Sequence, residues 1–211
     1  VRPEGAGWQW GLELKSYGFA GHERTVSGRP QVTTKADRID YAWDETMQEW
    51  FINDRRGLEH GFTLKTRPLG APAPDSQPSP LTLLMAVRGG LRPEVETDKR
   101  GVRFVDAQGV AAVTYAGLTV LDADGSRLTA RFESVPESLD IEERGAHAAC
   151  MSASAGRPMA LVRLVIDDLD ACYPLTIDPI AQIAYLKASN TGAGDLFSYN
   201  AVAVSGDTVV I

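Results

Sequence analysis

Short stretches in which apolar and polar residues alternate recur along this chain. The clearest spans Trp8 to Lys15, where Trp8, Trp10, Leu12 and Leu14 alternate with polar residues or glycine. An alternation of period two places one set of side chains on one face of a β-strand. The chain is therefore predicted to fold from strands whose apolar faces share a core.

Further strands are predicted between turns, and almost no helix is expected. They lie at residues 32–43, 49–53, 61–65, 81–88, 101–104, 110–115, 118–121, 128–132, 161–166 and 171–177. Residues 135–158 are the least strand-like part, and we expect one short helix and a loop there. Short strands separated by turns at this spacing are typical of a β-sandwich or jelly roll. The fold class is predicted to be all-β.

A proline-rich stretch, residues 66–80, interrupts this pattern. Proline fixes the backbone angle φ and removes a hydrogen-bond donor from a strand ladder. We expect an extended connection here, either a crossing between two sheets or a boundary between two subdomains. The folded domain is predicted to span residues 1–180, and Pro174 suggests an edge or a bulge in its last strand.

Two predicted turns share the pattern Asp-Ala-x-Gly, at Asp106–Gly109 and at Asp122–Gly125. Aspartate starts such a turn by accepting bonds from the backbone that follows, and glycine supplies the positive φ. Asp122 and Asp124 also resemble the start of a calcium loop. The bidentate glutamate of an EF-hand does not follow them, so a hairpin turn is the preferred interpretation.

Charge and composition restrict the partners of the chain. The formal net charge is −7, and all of the acidic excess lies in residues 106–211, where 14 acidic residues stand against 6 basic ones. A nucleic-acid surface needs clustered cations, so none is predicted. No apolar run reaches the length of a transmembrane segment. Cys150 and Cys172 are either two free thiols or one disulfide, because spacing alone does not fix their geometry.

The densest mixture of aromatic and polar residues is the stretch 41–62. Aromatic rings beside carboxylates and amides are suited to sugar recognition, because rings stack on sugar CH faces and hydroxyls need polar partners. The alternative is that the two tryptophans are core anchors flanking a hairpin. The candidate ligand-binding residues are Trp43, Glu49, Trp50, Asn53, Asp54 and His60.

Two other kinds of site follow from carboxylates. A hydrolase would need two carboxylates about 5–10 Å apart in one cleft, and Glu49, Asp54 and Glu59 are the candidates. The cluster Asp167, Asp168 and Asp170 predicts either a weak calcium site or a solvated turn. No cofactor other than calcium is predicted.

The end of the chain carries a family resemblance. Residues 190–195 read Asn-Thr-Gly-Ala-Gly-Asp, Phe197-Ser198 follows, and residues 203–211 read Ala-Val-Ser-Gly-Asp-Thr-Val-Val-Ile. This run resembles the first half of an FG-GAP repeat, the unit of integrin-α-like β-propellers. Ser198 stands where that family has glycine, and the family's calcium-binding aspartate loop is not among these residues.

Residues 117–179 are more loosely similar to N-terminal β-domains of secreted bacterial proteins that carry such repeats. The resemblance implies an extracellular or cell-surface protein, longer than this chain, in which a propeller follows the domain. Residues 184–211 would be a partial repeat, with strands at 201–204 and 208–211. A lone hairpin is marginally stable in water. We therefore expect it to add to a neighbouring sheet edge, within the chain or in another copy.

Three functions remain open at this point. The leading hypothesis is a non-enzymatic structural, adhesion or assembly module of an extracellular or cell-envelope protein. It would bind a protein partner or self-associate through strand edges, especially residues 201–211. The alternatives are a carbohydrate-binding domain that uses the 41–62 hairpin and a carboxylate-based hydrolase.

Overall fold

The computed structural model of the chain describes residues 8–54, 57–71, 79–135, 160–183, 203–205 and 208–210. Every regular element in these ranges is a β-strand, so the predicted all-β class is confirmed. The helix expected within 135–158 falls on residues outside them. In the part of the chain that is described, no helix is long and apolar enough to cross a membrane.

The described strands are numbered in chain order. They are β1 (Trp10–Gly18), β2 (Arg24–Thr25), β3 (Gln31–Lys35), β4 (Arg38–Ala42), β5 (Met47–Asp54), β6 (Gly57–Leu64), β7 (Leu81–Gly89), β8 (Arg92–Val95), β9 (Val102–Val105), β10 (Ala111–Leu121), β11 (Ala130–Val135), β12 (Leu161–Ile166), β13 (Leu175–Ile183), β14 (Ala203–Ser205) and β15 (Thr208–Val210).

Two antiparallel sheets form the body of the fold, as in a β-sandwich. A five-stranded sheet has the order β11-β12-β7-β1-β2, and an eight-stranded sheet has the order β3-β4-β5-β6-β13-β10-β9-β8. Side chains from both sheets form one core, in which Trp10 of β1 meets Phe104 of β9 edge-on at 5.1 Å between ring centroids. Each large apolar side chain buried here contributes about 1.5–3 kcal/mol.

The proline-rich stretch connects the two sheets. It follows β6 of the eight-stranded sheet and precedes β7 of the five-stranded sheet. Both sheets also combine strands from before and after it, because β1 pairs with β7 and β6 pairs with β13. In the described residues, this stretch is therefore a crossing between sheets.

Two predicted strand boundaries are wrong. Residues 32–43 form two strands, β3 and β4, joined by a turn in which Ala36 has a φ of 51°. The sequence carries no glycine or asparagine there to signal the turn. Residues 110–115 and 118–121 form one strand, β10, with an irregularity between Ala116 and Thr119 that accommodates Gly117 at a φ of 74°.

The last strand of the domain also differs from its prediction. β13 begins after Pro174 and lies between β6 and β10, so Pro174 is neither within a strand nor at a sheet edge. The proline within this strand is Pro179. It lies where the pairing with β6 passes from Ile177 to Ile180, so a central strand accommodates it at an interruption of the ladder.

The two Asp-Ala-x-Gly turns form as predicted. Asp106 Oδ1 accepts from the backbone N–H groups of Gln108 and Val110, each at 2.9 Å. Asp122 Oδ1 accepts from those of Asp124 at 3.0 Å and Ser126 at 2.7 Å. The same sequence pattern thus produces the same bonding twice.

The tail forms a hairpin of its own. β14 and β15 pair with each other, with Ala203 opposite Val210 and Ser205 opposite Thr208. The pair is a separate two-stranded sheet, so the predicted addition of this segment to a sheet edge within the chain is wrong for the described residues. Its pairing with another copy stays a prediction.

Candidate functional site

Strand alternation divides the 41–62 stretch between two faces of the eight-stranded sheet. Met47, Glu49 and Phe51 of β5 share the inner face, which is turned toward the five-stranded sheet and its core. His60 of β6 shares this face because it lies opposite Phe51. Trp50 of β5 lies on the outer face.

A buried polar network occupies the inner face. Trp43 Nε1 donates to Glu49 Oε2 at 2.9 Å, and His60 Nε2 lies 2.8 Å from Glu49 Oε1. His60 Nδ1 lies 3.0 Å from the hydroxyl of Tyr115, and Phe51 stacks on the imidazole at 4.4 Å between centroids. Tyr115 belongs to β10, so the network joins strands that are separated by β13.

One arrangement of protons satisfies every donor in this network. Burial, reinforced by the charge of Glu49, raises the pKa of Tyr115 well above its ordinary value. The hydroxyl therefore keeps its proton. In the tautomer whose Nε2–H donates to Glu49, His60 Nδ1 accepts from this hydroxyl. All three donors, from Trp43, His60 and Tyr115, then have an acceptor. Such a satisfied network stabilises the packing of a core, and its partial loss is costly.

The outer face holds the second candidate tryptophan. Trp50 is 4% exposed, and the guanidinium of Arg38 lies 4.6 Å from its ring centroid. On β6, Gly61 lies directly opposite, and a Cβ at that position would come within 2.2 Å of the ring. The glycine is required because the indole lies across it. Both faces of Trp50 are thus covered, whereas a sugar platform needs an open one.

Of the other predicted sugar-binding residues, Trp43, Glu49 and His60 meet in the buried network and not at an open surface. Trp43 is half-buried on the inner side, where its indole N–H is bonded to Glu49. Asn53 is half-buried at the far end of β5, where its backbone N–H bonds to the carbonyl of Asp37. The side chain of Asp54 lies outside the described residues. The sugar-binding function stays a prediction.

The carboxylates proposed for a hydrolase are divided by the sheet. Glu49 lies on the inner face and Glu59 on the outer face, because Glu59 is opposite Ile52 and next to His60. These two side chains therefore do not face one cleft. Glu49 also accepts hydrogen bonds from Trp43 and His60, so its role in the described structure is to anchor the buried network.

The predicted calcium cluster does not converge. Asp168 is buried, and its Oδ2 accepts from Arg67 Nε at 3.0 Å and from the Tyr173 hydroxyl at 2.7 Å. Asp167 and Asp170 are exposed, and the described residues do not gather the three carboxylates. Asp168 thus anchors this turn to the connection after β6, and burial together with that hydrogen bond raises the pKa of Tyr173.

Asp122, Asp124 and Cys172 do converge, with one ligand atom each within 4.8 Å of the others. A hydrogen bond to Asp124 raises the pKa of the Cys172 thiol, which disfavours the thiolate that metals prefer. Cys172 is a free, exposed thiol, and Cys150 lies outside the described residues. Their disulfide stays a prediction.

The edge of the eight-stranded sheet at β3 was not recognised from the sequence. All five residues of β3 are exposed, and Val32 is 45% exposed. In the described part of the chain, β3 pairs only with β4, so its other side has no neighbouring strand. Reading residues 32–43 as one strand concealed this edge.

Backbone hydrogen bonds at the two ends of β4 show which groups of β3 face outward. Trp43 N–H donates to Met47 at 3.0 Å and Asn53 N–H to Asp37 at 2.9 Å, so odd-numbered residues along β4 bond to β5. Even-numbered residues of β4 therefore bond to β3, where their partners are Gln31, Thr33 and Lys35. Val32 and Thr34 consequently direct their backbone N–H and C=O groups toward the open side.

Side-chain hydrogen bonds on the outer face of the sheet fix the position of β4, the strand that pairs with β3. Asp40 Oδ1 accepts from Arg38 Nε at 2.9 Å and from Gln48 Nε2 at 2.7 Å. Burial works to raise the pKa of Asp40, but the hydrogen bonds from Arg38 and Gln48 outweigh it and hold the pKa below its ordinary value. The open strand β3 is therefore paired with a strand, β4, whose position these hydrogen bonds fix.

The edges of the five-stranded sheet are less open to an added strand than the edge at β3. β2 is two residues long. At the opposite edge, the backbone N–H of Phe132 in β11 donates to the carbonyl of Lys99 at 2.8 Å, so part of that edge is bonded to a loop. β2 is shorter than β3, and β11 is longer but less exposed.

Comparison with known proteins adds no assignment. No protein-family model, no curated protein and no solved structure matches the chain. The resemblance of residues 186–211 to an FG-GAP repeat therefore stays a prediction.

Proposed function

We propose that this chain is a non-enzymatic assembly or adhesion module that binds a protein partner by strand addition at β3. The observation that carries the proposal is the open side of that strand, where Val32 and Thr34 direct backbone groups away from the sheet. An extended segment of a partner satisfies such groups by continuing the ladder.

The composition of β3 supports this proposal. Val32, Thr33 and Thr34 are β-branched residues, which favour extended backbone. Sheet edges that avoid partners usually carry proline, a bulge or several charges. β3 has regular pairing with β4 and a single charge, on Lys35.

The location of the module is part of the proposal. We place it in an extracellular or cell-envelope protein because residues 186–211 resemble a repeat of secreted propeller proteins. This part rests on that resemblance alone.

The experiment is a titration of the isotope-labelled chain with a pool of Val-, Ile- and Thr-rich heptapeptides, followed by the backbone amide signals. It is carried out at a concentration where sedimentation shows a monomer. We expect the amide signals of Val32 and Thr34 to move and their exchange with solvent to slow, because both amides gain acceptors.

The matched control is Thr34→Pro, which removes one outward donor and leaves the bonds to β4 in place. We expect this variant to lose the peptide response. If the native chain binds none of the peptides at β3, the proposed function is wrong.

A further inference from the structure

We propose that the partner at this edge is β3 of a second copy of the chain, paired antiparallel about a twofold axis at Thr33. This inference rests on the proposed function and names its partner. It depends on the outward directions of the β3 backbone and on the order of its five residues.

Antiparallel pairing about Thr33 uses every outward group. Thr33 then lies opposite Thr33 of the second copy as a non-hydrogen-bonded pair, which fits because its own N–H and C=O already face β4. Val32 lies opposite Thr34 of the second copy, and Thr34 opposite Val32. Each of these two pairs exchanges two backbone hydrogen bonds.

The side chains also fit this register. Lys35 lies opposite Gln31 of the second copy, so the one charge on the strand does not face itself. The two threonines at the axis form a pair that can hydrogen-bond through the hydroxyls. Val32 and Thr34, which lie on the same face of the sheet, place β-branched side chains opposite each other.

Neighbouring registers leave outward backbone groups of β3 without a partner. An axis at Val32 places Thr34 opposite Pro30, which has no N–H to donate. An axis at Thr34 places Val32 opposite Ala36, which lies in the turn at a φ of 51° and is outside the strand. The Thr33 register is therefore the one that satisfies both outward residues of both copies.

Such a dimer joins two eight-stranded sheets into one continuous sheet. A contact of five residues a side buries less surface than a standard interface, which buries about 1,200–2,000 Å². We therefore expect weak, reversible association, which becomes effective where several copies are held close together.

The test is cross-linking by an introduced cysteine in the full chain with Cys150→Ser and Cys172→Ser. In the proposed register, the two Cα atoms at residue 33 are about 4.5 Å apart, within the range that a disulfide bridges. Those at residue 34 are about 8 Å apart, beyond that range. We expect Thr33→Cys to form at least about tenfold more covalent dimer than Thr34→Cys under the same mild oxidation.

Sedimentation of the native chain accompanies this test, because the cysteine variants could fold poorly. We expect the mass to rise from 22.8 kDa toward twice that value with concentration, and the rise to disappear in Thr34→Pro. Equal cross-linking at residues 33 and 34, or a monomer up to about 1 mM, overturns the inference. If strand peptides still bind at β3 in that case, the proposed function stands and only its partner is wrong.

Discussion

The eight-stranded sheet ends in β3 on one side and in β8 on the other, and the two edges are built differently. The backbone N–H of Glu96 donates to Gly101 at 2.9 Å, so even-numbered residues along β8 bond to β9. The outward residues of β8 are then Pro93 and Val95, and Pro93 has no N–H to offer. Both outward residues of β3 carry a donor.

Side chains extend this contrast. On β8, Glu94 forms ion pairs with Arg92 and Arg103, each at 3.0 Å, so charged side chains lie along the strand. On β3 the only charge is that of Lys35. Proline and charge are the features by which natural sheets prevent pairing with other chains. The large sheet therefore carries protective features at its β8 edge, and β3 lacks them. This difference is why we propose the binding role for β3.

The largest expected effect is a difference in the free energy of unfolding between a substitution at the protected edge and one in the buried network. If the charges on β8 act only against partners, Glu94→Ala changes the free energy of unfolding by less than about 1 kcal/mol. Glu49→Ala leaves the N–H groups of Trp43 and His60 unpaired inside the sheet, and we expect it to cost about 2–5 kcal/mol. Urea unfolding measures both. Equal losses would show that the Glu94 ion pairs stabilise the fold.

The next effect compares inward and outward positions of β3 itself. Thr33→Pro removes an N–H that bonds to β4, and we expect it to weaken the β3–β4 hairpin by about 1–3 kcal/mol. Thr34→Pro removes an outward N–H, so it costs less than about 0.5 kcal/mol and makes β3 resemble β8. Amide exchange of Asp40 and Ala42, whose N–H groups face β3, reports on the hairpin. A larger loss in Thr34→Pro would mean that the assigned backbone directions are reversed.

A smaller effect is expected when the protected edge is opened. Pro93→Val restores an outward N–H on β8 and adds a β-branched side chain. We expect the association constant, measured by sedimentation, to rise by up to about tenfold, since one added hydrogen bond contributes about 0.5–1.5 kcal/mol. Pro93→Val combined with Thr34→Pro isolates the new edge. No change in either background contradicts a protective role for Pro93.

The smallest effect is a pH dependence of the hydrogen bonds that Asp40 accepts in β4. The pKa of Asp40 is lowered on folding, so its contribution is present above the unfolded pKa, about 3.9, and is lost as the pH falls through the lower folded value. We expect amide exchange in β4, corrected for its intrinsic pH dependence, to speed up below about pH 4. Asp40→Asn removes the titration and is the control. The same acid response in that variant would assign the effect to another group.

The strand content was predictable from the sequence because alternation is a local property. The pattern from Trp8 to Leu14 and the two Asp-Ala-x-Gly turns act within a few residues, and the structure confirms the all-β class and both turns. The strands at residues 32–43 were not predicted as two, because alanine occupies the positive-φ position of the turn and Asp37 is the only turn-forming residue type there.

The site depended on pairings between distant segments. Tyr115 reaches His60 across 55 positions of sequence, and no local pattern indicates such a contact. The strand edge is likewise a property of sheet order, since among the described strands only β4 pairs with β3. The stretch 41–62 stands out in the sequence as the densest mixture of aromatic and polar residues. Its alternation, however, divides Glu49 from Trp50 and Glu59, so it does not form one surface.

The most direct test of the open edge is amide hydrogen exchange along β3 in a dilute, monomeric sample. Gln31, Thr33 and Lys35 direct their N–H groups to β4, whereas Val32 and Thr34 direct theirs to solvent. We predict that the first three exchange slowly and that Val32 and Thr34 exchange close to the rate of an unprotected amide. Protection of Val32 and Thr34 equal to that of Thr33 would contradict the account, because the edge would then already be covered.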